Sequence, residues 1–469
     1  MQIKFGTDGW RGVIAREFTF DNVAVVAQAT MDYLHEQGLA GRGLVVGYDR
    51  RFLSRDFAEL TAEIAAGNGI NVWMTDGYAP TPAVSWAVRE LKAGAGVMIT
   101  ASHNPPKYNG FKVKESFGGS ARPSTTKALE DVVASNLAAG KRPRSISFSS
   151  GLSSGNIQVL DAKTPYFRQL ANYVDLDLIR RAEIPVVADP MYGAGSGFIQ
   201  ELLPHALEIH NGENPGFGGQ PPEPIDMHLT ELADLVRSGR YTVGLALDGD
   251  ADRIGAVDET GEFFSSHRIF TVLLRHLYER KGLRGGVVKT VSTTRMIDLL
   301  CEKYGLQLFE TPIGFKHICE LMLENDILMG GEESGGLGVK GHIPERDGIL
   351  MGLLLLEAMA MSGKGLRRLL DETMEEIGNF FYNRIDLQIA NEAKEKLITR
   401  LQAGGLETIA GRKVAGENFR DGFKYIFENG SWLLIRPSGT EPVLRLYSEA
   451  GEQHVVQELL KAGREIAGI

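Results

Sequence analysis

Leu44-Val45-Val46-Gly47, residues 44–47, is a run without a polar side chain, and its surroundings decide the fold. A strand covered on one face alternates apolar and polar residues, whereas an unbroken apolar run belongs to a strand covered on both faces. After a short loop, residues 57–66 carry a helical apolar spacing, and Asn71-Val72-Trp73-Met74 reads as the next strand. The scheme recurs from Val186-Val187-Ala188-Asp189, through Gly193-Ala194-Gly195-Ser196-Gly197 and a helix to about Leu203, to a strand near residues 207–209. It recurs again from Val287-Val288-Lys289-Thr290, with a helix from Thr294 to Tyr304 and a strand near residues 306–308. Three strand–helix–strand units predict three similar mixed-sheet α/β domains. The Gly193 loop lacks the full G-x-G-x-x-G spacing of a dinucleotide site and reads as the counterpart of the other two loops.

Past Gly378 the pattern changes. Residues 382–387 look like a half-buried strand, residues 391–401 like an amphipathic helix, and further strands lead to Arg436, which predicts a C-terminal α+β domain. The Ser/Gly-rich stretch 145–155 marks the end of the first domain. The expected domains are 1–155, 156–258, 259–372 and 373–469.

Four loops at the ends of apolar runs carry the chemistry. Val97–Ile99 reads as a buried strand that runs into Thr100-Ala101-Ser102-His103-Asn104-Pro105-Pro106. The two prolines can neither continue a helix nor donate to a sheet ladder, so they force a rigid turn. Ser102 is thereby presented at the strand mouth beside an imidazole, as a nucleophilic hydroxyl requires. Taken alone, Ser-His-Asn-Pro is equally an ordinary turn. Asp248-Gly249-Asp250-Ala251-Asp252-Arg253 lies between two strand-like runs, and three alternate carboxylates on one loop can converge on a hard cation. A calcium loop of the EF-hand type is excluded because Arg253 stands where glycine is needed and strands flank the loop. Oxygen-only ligands favour Mg²⁺. Gly330-Gly331-Glu332-Glu333-Ser334-Gly335-Gly336 allows close backbone approach, and Glu332 and Ser334 offer groups suited to sugar hydroxyls. Arg436-Pro437-Ser438-Gly439-Thr440 combines a guanidinium, hydroxyls and a glycine backbone into a phosphate cradle.

These loops, with Phe5-Gly6-Thr7-Asp8-Gly9-Trp10-Arg11-Gly12 at the start, together resemble the α-D-phosphohexomutases, the group of phosphoglucomutase and phosphomannomutase. The resemblance runs the length of the chain. It implies four domains around a central cleft, one motif loop from each, with a phosphoserine at Ser102. It also implies Mg²⁺ on Asp248, Asp250 and Asp252 together with a Ser102 phosphoryl oxygen, and basic reaction-centre residues at Arg11, Lys112 and Arg253. Sugar contacts fall on Glu332 and Ser334, and the phosphate that is not transferred falls on Arg436, Ser438, Gly439 and Thr440. Lys289 and the Thr311-Pro312-Ile313-Gly314-Phe315-Lys316 segment, with Gly314 and Lys316, are further substrate-binding candidates, as are His342 and Arg346. His103, Lys112 and Lys316 are candidates for moving the proton, and a lysine in a positive, partly buried cleft is expected to have a lowered pKa. The implied reaction interconverts hexose 1-phosphate and hexose 6-phosphate, with glucose 1,6-bisphosphate as intermediate and activator. Glucose is the first choice of sugar and a mannose or dual glucose/mannose enzyme the alternative; mannose- and glucosamine-specific relatives often carry a different residue at the Glu333 position and histidine at the Gly336 position, which makes glucosamine less favoured. A sugar-phosphate phosphatase and a non-catalytic phosphosugar sensor are the readings from other classes.

Bulk properties agree. The chain has 469 residues, 43% hydrophobic and 23% charged, enough for several cores. Fifty basic against sixty acidic residues leave a net charge of −10, which disfavours nucleic acid and anionic membranes as partners. Cys301 and Cys319 are the only cysteines, so no disulfide framework is implied. The apolar stretch 349–361 is broken by Glu357 and is too short to span a bilayer; Asp347 and Gly363 look like its helix caps. With no charged-then-apolar leader, a cytoplasmic monomer or homodimer acting on small sugar phosphates is expected.

Overall fold

The computed structural model describes residues 3–6, 8–438 and 442–468. The protein has four sheet-containing domains, three of them α/β. The first sheet takes β1 (Trp10–Val13), β2 (Leu44–Tyr48), β3 (Val72–Thr75), β4 (Ala95–Ile99), β5 (Tyr108–Glu115) and β6 (Ile157–Leu160) in the order β1-β5-β4-β2-β3-β6. β4, β2, β3 and β6 run parallel; β5 returns antiparallel to β4, and β1 antiparallel to β5. Every residue of β2 and β4 is buried, because helices such as Ser54–Gly67 and Thr81–Glu90 cover the two faces.

The second sheet is built from β7 (Val186–Asp189), β8 (Leu207–Glu208), β9 (Val243–Leu247), β10 (Ile254–Val257) and β11 (Phe263–Phe264) in the order β11-β10-β9-β7-β8. β9 and β10 pair antiparallel with Leu247 opposite Ile254, so residues 248–253 form the hairpin loop between them. Asp258 closes the next turn by accepting the Thr260 amide at 3.0 Å.

The third α/β domain contributes the parallel pair β12 (Gly286–Thr290) and β13 (Leu308–Thr311) and the antiparallel pair β14 (Ile327–Gly331) and β15 (Leu337–Val339). The C-terminal domain is an antiparallel sheet of β16 (Phe381–Gln388), β17 (Thr408–Ile409), β18 (Arg412–Asn418), β19 (Phe423–Phe427), β20 (Trp432–Pro437) and β21 (Val443–Ala450). Its order is β16-β21-β20-β19-β18-β17, and the helices Asn391–Gln402 and Gln453–Ala467 share its core. The chain divides into two compact units: residues 1–285 with 314–369, and residues 286–313 with 370–469.

Several expectations need correction. The first domain does not end with the Ser/Gly-rich stretch 145–155: Phe148–Ser154 is a helix capped by Ser147, and it feeds β6, which pairs with β3 at the edge of the first sheet. The boundary expected at 258 falls inside the hairpin that leads to β11, and the one at 372 falls inside the helix Leu366–Ile377. Edge strands as short as β11 leave almost no periodic signal. β13 starts later than residues 306–308 because Gly305, at φ 65°, and Leu306, whose amide bonds the Cys301 carbonyl at 2.8 Å, are used in capping the preceding helix. The helix Gly348–Ser362 does begin after Asp347, whose carboxylate accepts the Leu350 amide at 2.8 Å, and ends at Gly363. No single helix among the described residues is long and apolar enough to cross a membrane.

Candidate functional site

The Ser102 loop leaves β4 with its backbone turned sharply. Ser102 has φ 52°, in the left-handed region that side chains with a Cβ avoid, at a cost of about 1–3 kcal/mol. The Asn104 amide returns to the Ala101 carbonyl at 3.0 Å and the Tyr108 amide to that of Pro105 at 3.0 Å, closing the proline turn. Ser102 was expected at an open strand mouth; instead it is fully buried, and its Oγ donates to Asp248 Oδ2 at 2.7 Å. Its Oγ also lies 3.5 Å from His103 Nδ1. Gly249 makes the meeting of the two loops possible: a Cβ there would stand 2.5 Å from the Ser102 carbonyl oxygen.

Asp248, Asp250 and Asp252 are buried, and one carboxylate oxygen of each lies within 4.8 Å of the others. Burial and the two neighbouring carboxylates push the Asp248 carboxyl well above its usual range. Oδ1 of both Asp250 and Asp252 is buried without a hydrogen-bond partner. Orphaned oxygens are costly unless something positive meets them, so the donor set fits a hard divalent cation such as Mg²⁺.

The outer oxygens of the same carboxylates are paired. Lys112 Nζ, on β5, lies 2.7 Å from Asp250 Oδ2, 2.9 Å from Asp252 Oδ2 and 2.8 Å from Asp8 Oδ2. Arg346 reaches Asp252 at 2.7 Å and also pairs with Asp8. The pKa of Lys112 is raised, not lowered as expected. Burial does push it down, but Asp250, Asp252 and Asp8 outweigh burial and hold the ammonium well above its ordinary value. His103 goes the other way: burial, then the charges of Arg253, Arg11, Lys112 and Arg51, push its imidazole well below its ordinary pKa. Arg11 donates to the Asn104 side chain, and the Arg253 amide donates to Asp248 Oδ1 at 3.1 Å. Thus Ser102, His103, Lys112, Arg11, Arg253, Arg346 and the three aspartates form one connected constellation.

The Glu332 loop joins it from the side. The Ile254 amide, at the end of the aspartate hairpin, donates to the Gly335 carbonyl at 3.1 Å. Glu332 accepts the Gly314 amide at 2.9 Å and lies 3.7 Å from Arg346 Nη1; burial raises its carboxyl. Ser334 is half-buried on this loop, and Lys316 sits half-buried in the first turn of the helix Phe315–Glu324. His342 is not drawn into the constellation. It is buried against Trp86, with ring centroids 5.8 Å apart, and holds Asp347 at 2.8 Å through Nε2, so it braces the loop that carries Arg346. In the second unit, Lys289 is buried and pairs with Asp298, while Arg436 pairs with Asp421 at 2.9 Å. The Ser438 carbonyl accepts from Lys394 at 3.0 Å. Gly439 and Thr440 lie outside the described residues.

Other participants escaped the sequence reading. Asp8 lies within the Phe5–Gly12 motif and Glu345 directly precedes Arg346; Glu345 accepts from Lys114 at 2.6 Å and lies 3.6 Å from Arg346 Nε. Asp49 and Arg51 follow β2 at the carboxyl end of a parallel strand, the end where α/β sheets place their sites. Thr81, which donates to Asp250, had no local signal.

Comparison with known proteins agrees with this geometry. Residues 2–139, 164–261 and 265–377 match phosphoglucomutase/phosphomannomutase alpha/beta/alpha domains I, II and III, and residues 389–465 match the C-terminal domain of the same family. A phosphoglucomutase/phosphomannomutase of Thermococcus kodakarensis is 30% identical over 98% of this chain and 97% of its own. A protein of Methanosphaera stadtmanae described provisionally as a phosphoglucosamine mutase is 30% identical over 98% and 97%. A crystal structure from Thermus thermophilus, described provisionally as a phosphomannomutase, superposes with a TM-score of 0.88 at 37% identity and covers 100% of both chains. The four domain matches in order, with relatives aligned end to end, place the chain in the phosphoglucomutase/phosphomannomutase family of α-D-phosphohexomutases.

Proposed function

We propose that this phosphohexomutase carries a phosphoryl group between O1 and O6 of a hexose, glucose first, by way of phosphorylated Ser102 and glucose 1,6-bisphosphate. The observation that supports it most is Ser102 Oγ at 2.7 Å from Asp248, beside two carboxylates that each keep a buried oxygen without a hydrogen bond. Asp248, Asp250 and Asp252 would hold Mg²⁺, which supplies Lewis-acid charge neutralisation to the transferred group.

The chain's own residues do the rest. The Ser102 Oγ–P bond breaks as the free sugar hydroxyl oxygen bonds to phosphorus, and that hydroxyl's proton must leave. His103, whose Nδ1 lies 3.5 Å from Ser102 Oγ, is assigned as the acceptor; Lys112, ringed by Asp8, Asp250 and Asp252, instead balances the carboxylates and the phosphoryl oxygens. The bisphosphate then reorients and returns its other phosphoryl group to Ser102. Positioning of this kind can supply about 7–11 kcal/mol of the barrier. Glu332, anchored by Gly314, and Ser334 present acceptors to the sugar hydroxyls. Arg436, Ser438, Gly439 and Thr440 hold the phosphate that is not transferred, which is uniform binding and acts on KM and retention more than on kcat.

Glucose rests on the resemblance of the Glu332-Glu333-Ser334 and Thr311–Lys316 segments to phosphoglucomutase. Dual glucose/mannose use is the second reading, favoured by the double name of the Thermococcus relative. The test is kcat/KM with glucose 1-, mannose 1- and glucosamine 1-phosphate, with Mg²⁺ and bisphosphate present. The proposal expects glucose 1-phosphate to lead, with almost no free phosphate released. A lead for glucosamine 1-phosphate overturns the sugar assignment, and stoichiometric phosphate release overturns the mutase reading in favour of a phosphatase.

A further inference from the structure

Ser102 sits in a strained conformation, and the groups that hold it there come from a different strand. Arg51, two residues into the loop after Asp49, is 3% exposed. Its Nη2 donates to the Ser102 carbonyl at 2.5 Å and to the Asn104 carbonyl at 2.6 Å; its Nη1 donates to the carbonyls of Pro105 at 3.0 Å and Tyr108 at 3.1 Å. One guanidinium thus gathers four carbonyls from one turn, and its plane lies over Phe217 at 4.9 Å. Asp49, 1% exposed, fixes the guanidinium: its Oδ2 lies 3.2 Å from Arg51 Nε, and its Oδ1 accepts the Arg51 amide at 2.9 Å.

Asp49 also reaches the other side of Ser102. Its Oδ2 accepts from Thr100 Oγ1 at 2.6 Å, and the same Thr100 oxygen accepts the Ser102 amide at 2.9 Å. The backbone N–H and the backbone carbonyl of Ser102 are therefore both held by the Asp49–Arg51 pair, one through Thr100 and the other directly. Neither residue touches Ser102 Oγ.

We propose that Asp49, Arg51 and Thr100 form a clamp that sets the left-handed backbone of Ser102 and so aims its Oγ at the cation site, making Arg51 a positioning residue for phosphoryl transfer. This rests on Ser102 as the phosphoryl carrier. A lysine cannot replace Arg51, because only a planar fork of several N–H groups can serve four carbonyls at once. An error of about 1 Å in a reacting atom can cost on the order of 10²-fold in rate.

The test uses the full chain with Arg51→Lys and Arg51→Ala, assayed with glucose 1-phosphate, Mg²⁺ and bisphosphate. Each variant is expected to lose roughly 10²-fold in kcat with KM changed less than about threefold. Added guanidinium ion should restore at least about tenfold of the loss in Arg51→Ala, and methylammonium should not. A general loss of folding would not respond to guanidinium in this selective way. Should Arg51→Ala fail to fold, Thr100→Val carries the same test by freeing the Ser102 amide, with a roughly tenfold fall in kcat expected. Variants that fold and retain kcat within about threefold, or that lose rate through KM alone, or an Arg51→Ala enzyme deaf to guanidinium, overturn the clamp. Mapping phosphate on the wild-type enzyme separates the two claims. An active wild type without phosphate on Ser102 defeats the carrier assignment itself, whereas phosphorylated Ser102 with normal Arg51 variants defeats only the clamp.

Discussion

At the scale of single residues, the centre is a problem in charge pairing. Lys112 is buried and serves three carboxylates, so its removal leaves the buried Asp8, Asp250 and Asp252 short of a partner. Breaking a buried ion network from one side typically costs about 3–5 kcal/mol. Lys112→Met should accordingly lower the thermal midpoint of the apo protein, and added Mg²⁺ should recover part of the loss by bringing positive charge back to the aspartates. A midpoint unchanged by the substitution would show that the pairing contributes little. The same residue shows where reading a sequence fails. Lys112 could be picked out as basic and near Ser102, but the sign of its pKa shift depends on Asp8, 104 positions earlier, and on Asp250 and Asp252, which are brought in only by the fold. Asp248, Asp250 and Asp252 were legible because their grouping is local. The Arg51 fork was not, because its partners are backbone carbonyls, which every sequence possesses.

At the scale of elements, the site depends on two loops approaching to contact distance. The aspartate hairpin between β9 and β10 can lie against the Ser102 turn only because Gly249 has no side chain there. Gly249→Ala places a methyl group against the Ser102 carbonyl oxygen and must push the loops apart; kcat is expected to fall about 10²-fold while the fold survives, read by steady-state kinetics beside a melting curve. Full activity in the alanine variant would mean that the loops do not need this spacing. The helix Gly348–Ser362 makes a second case. It is apolar almost throughout, and Glu357 is its buried exception. Burial pushes the Glu357 carboxyl up, but hydrogen bonds from His276 at 2.8 Å, the Asp175 amide at 2.8 Å and Lys281 at 3.0 Å outweigh it and lower the pKa below its usual value. A carboxyl lowered in the folded state adds stability above its unfolded pKa of about 4.5, and that stability is lost as pH falls through the folded value. Glu357→Gln should therefore flatten the acid limb of the stability-versus-pH curve below about pH 4.5, measured by urea unfolding. An unaltered acid limb would remove Glu357 from the balance. The caps of this helix were readable from Asp347 and Gly363; its polar anchor was not, since Glu357 looked only like an interruption.

At the scale of the whole molecule, the three repeated strand–helix–strand units and the altered pattern after Gly378 were visible because strand burial and helix periodicity are local properties of the chain. Domain ends were less visible, because β6 and β11 are short edge strands whose membership is decided by pairing with β3 and β10. The expected role of His342 moved for a similar reason: it lies in the right loop, but its imidazole turns towards Asp347, Trp86 and Tyr166. The proposed mechanism divides the site into residues that hold and one residue that reacts. In it, most of the named side chains fix charge or backbone, and Ser102 is the one proposed to form and break a bond. The direct measurement is therefore a single-turnover transfer. Wild-type protein is mixed with glucose 1,6-bisphosphate carrying radioactive phosphate, quenched and mapped by peptide mass spectrometry, then chased with unlabelled glucose 1-phosphate. The account predicts label on Ser102, lost to sugar during the chase at a rate no slower than kcat, with none acquired by Ser102→Ala. Isomerisation that proceeds while Ser102 stays unlabelled would contradict it.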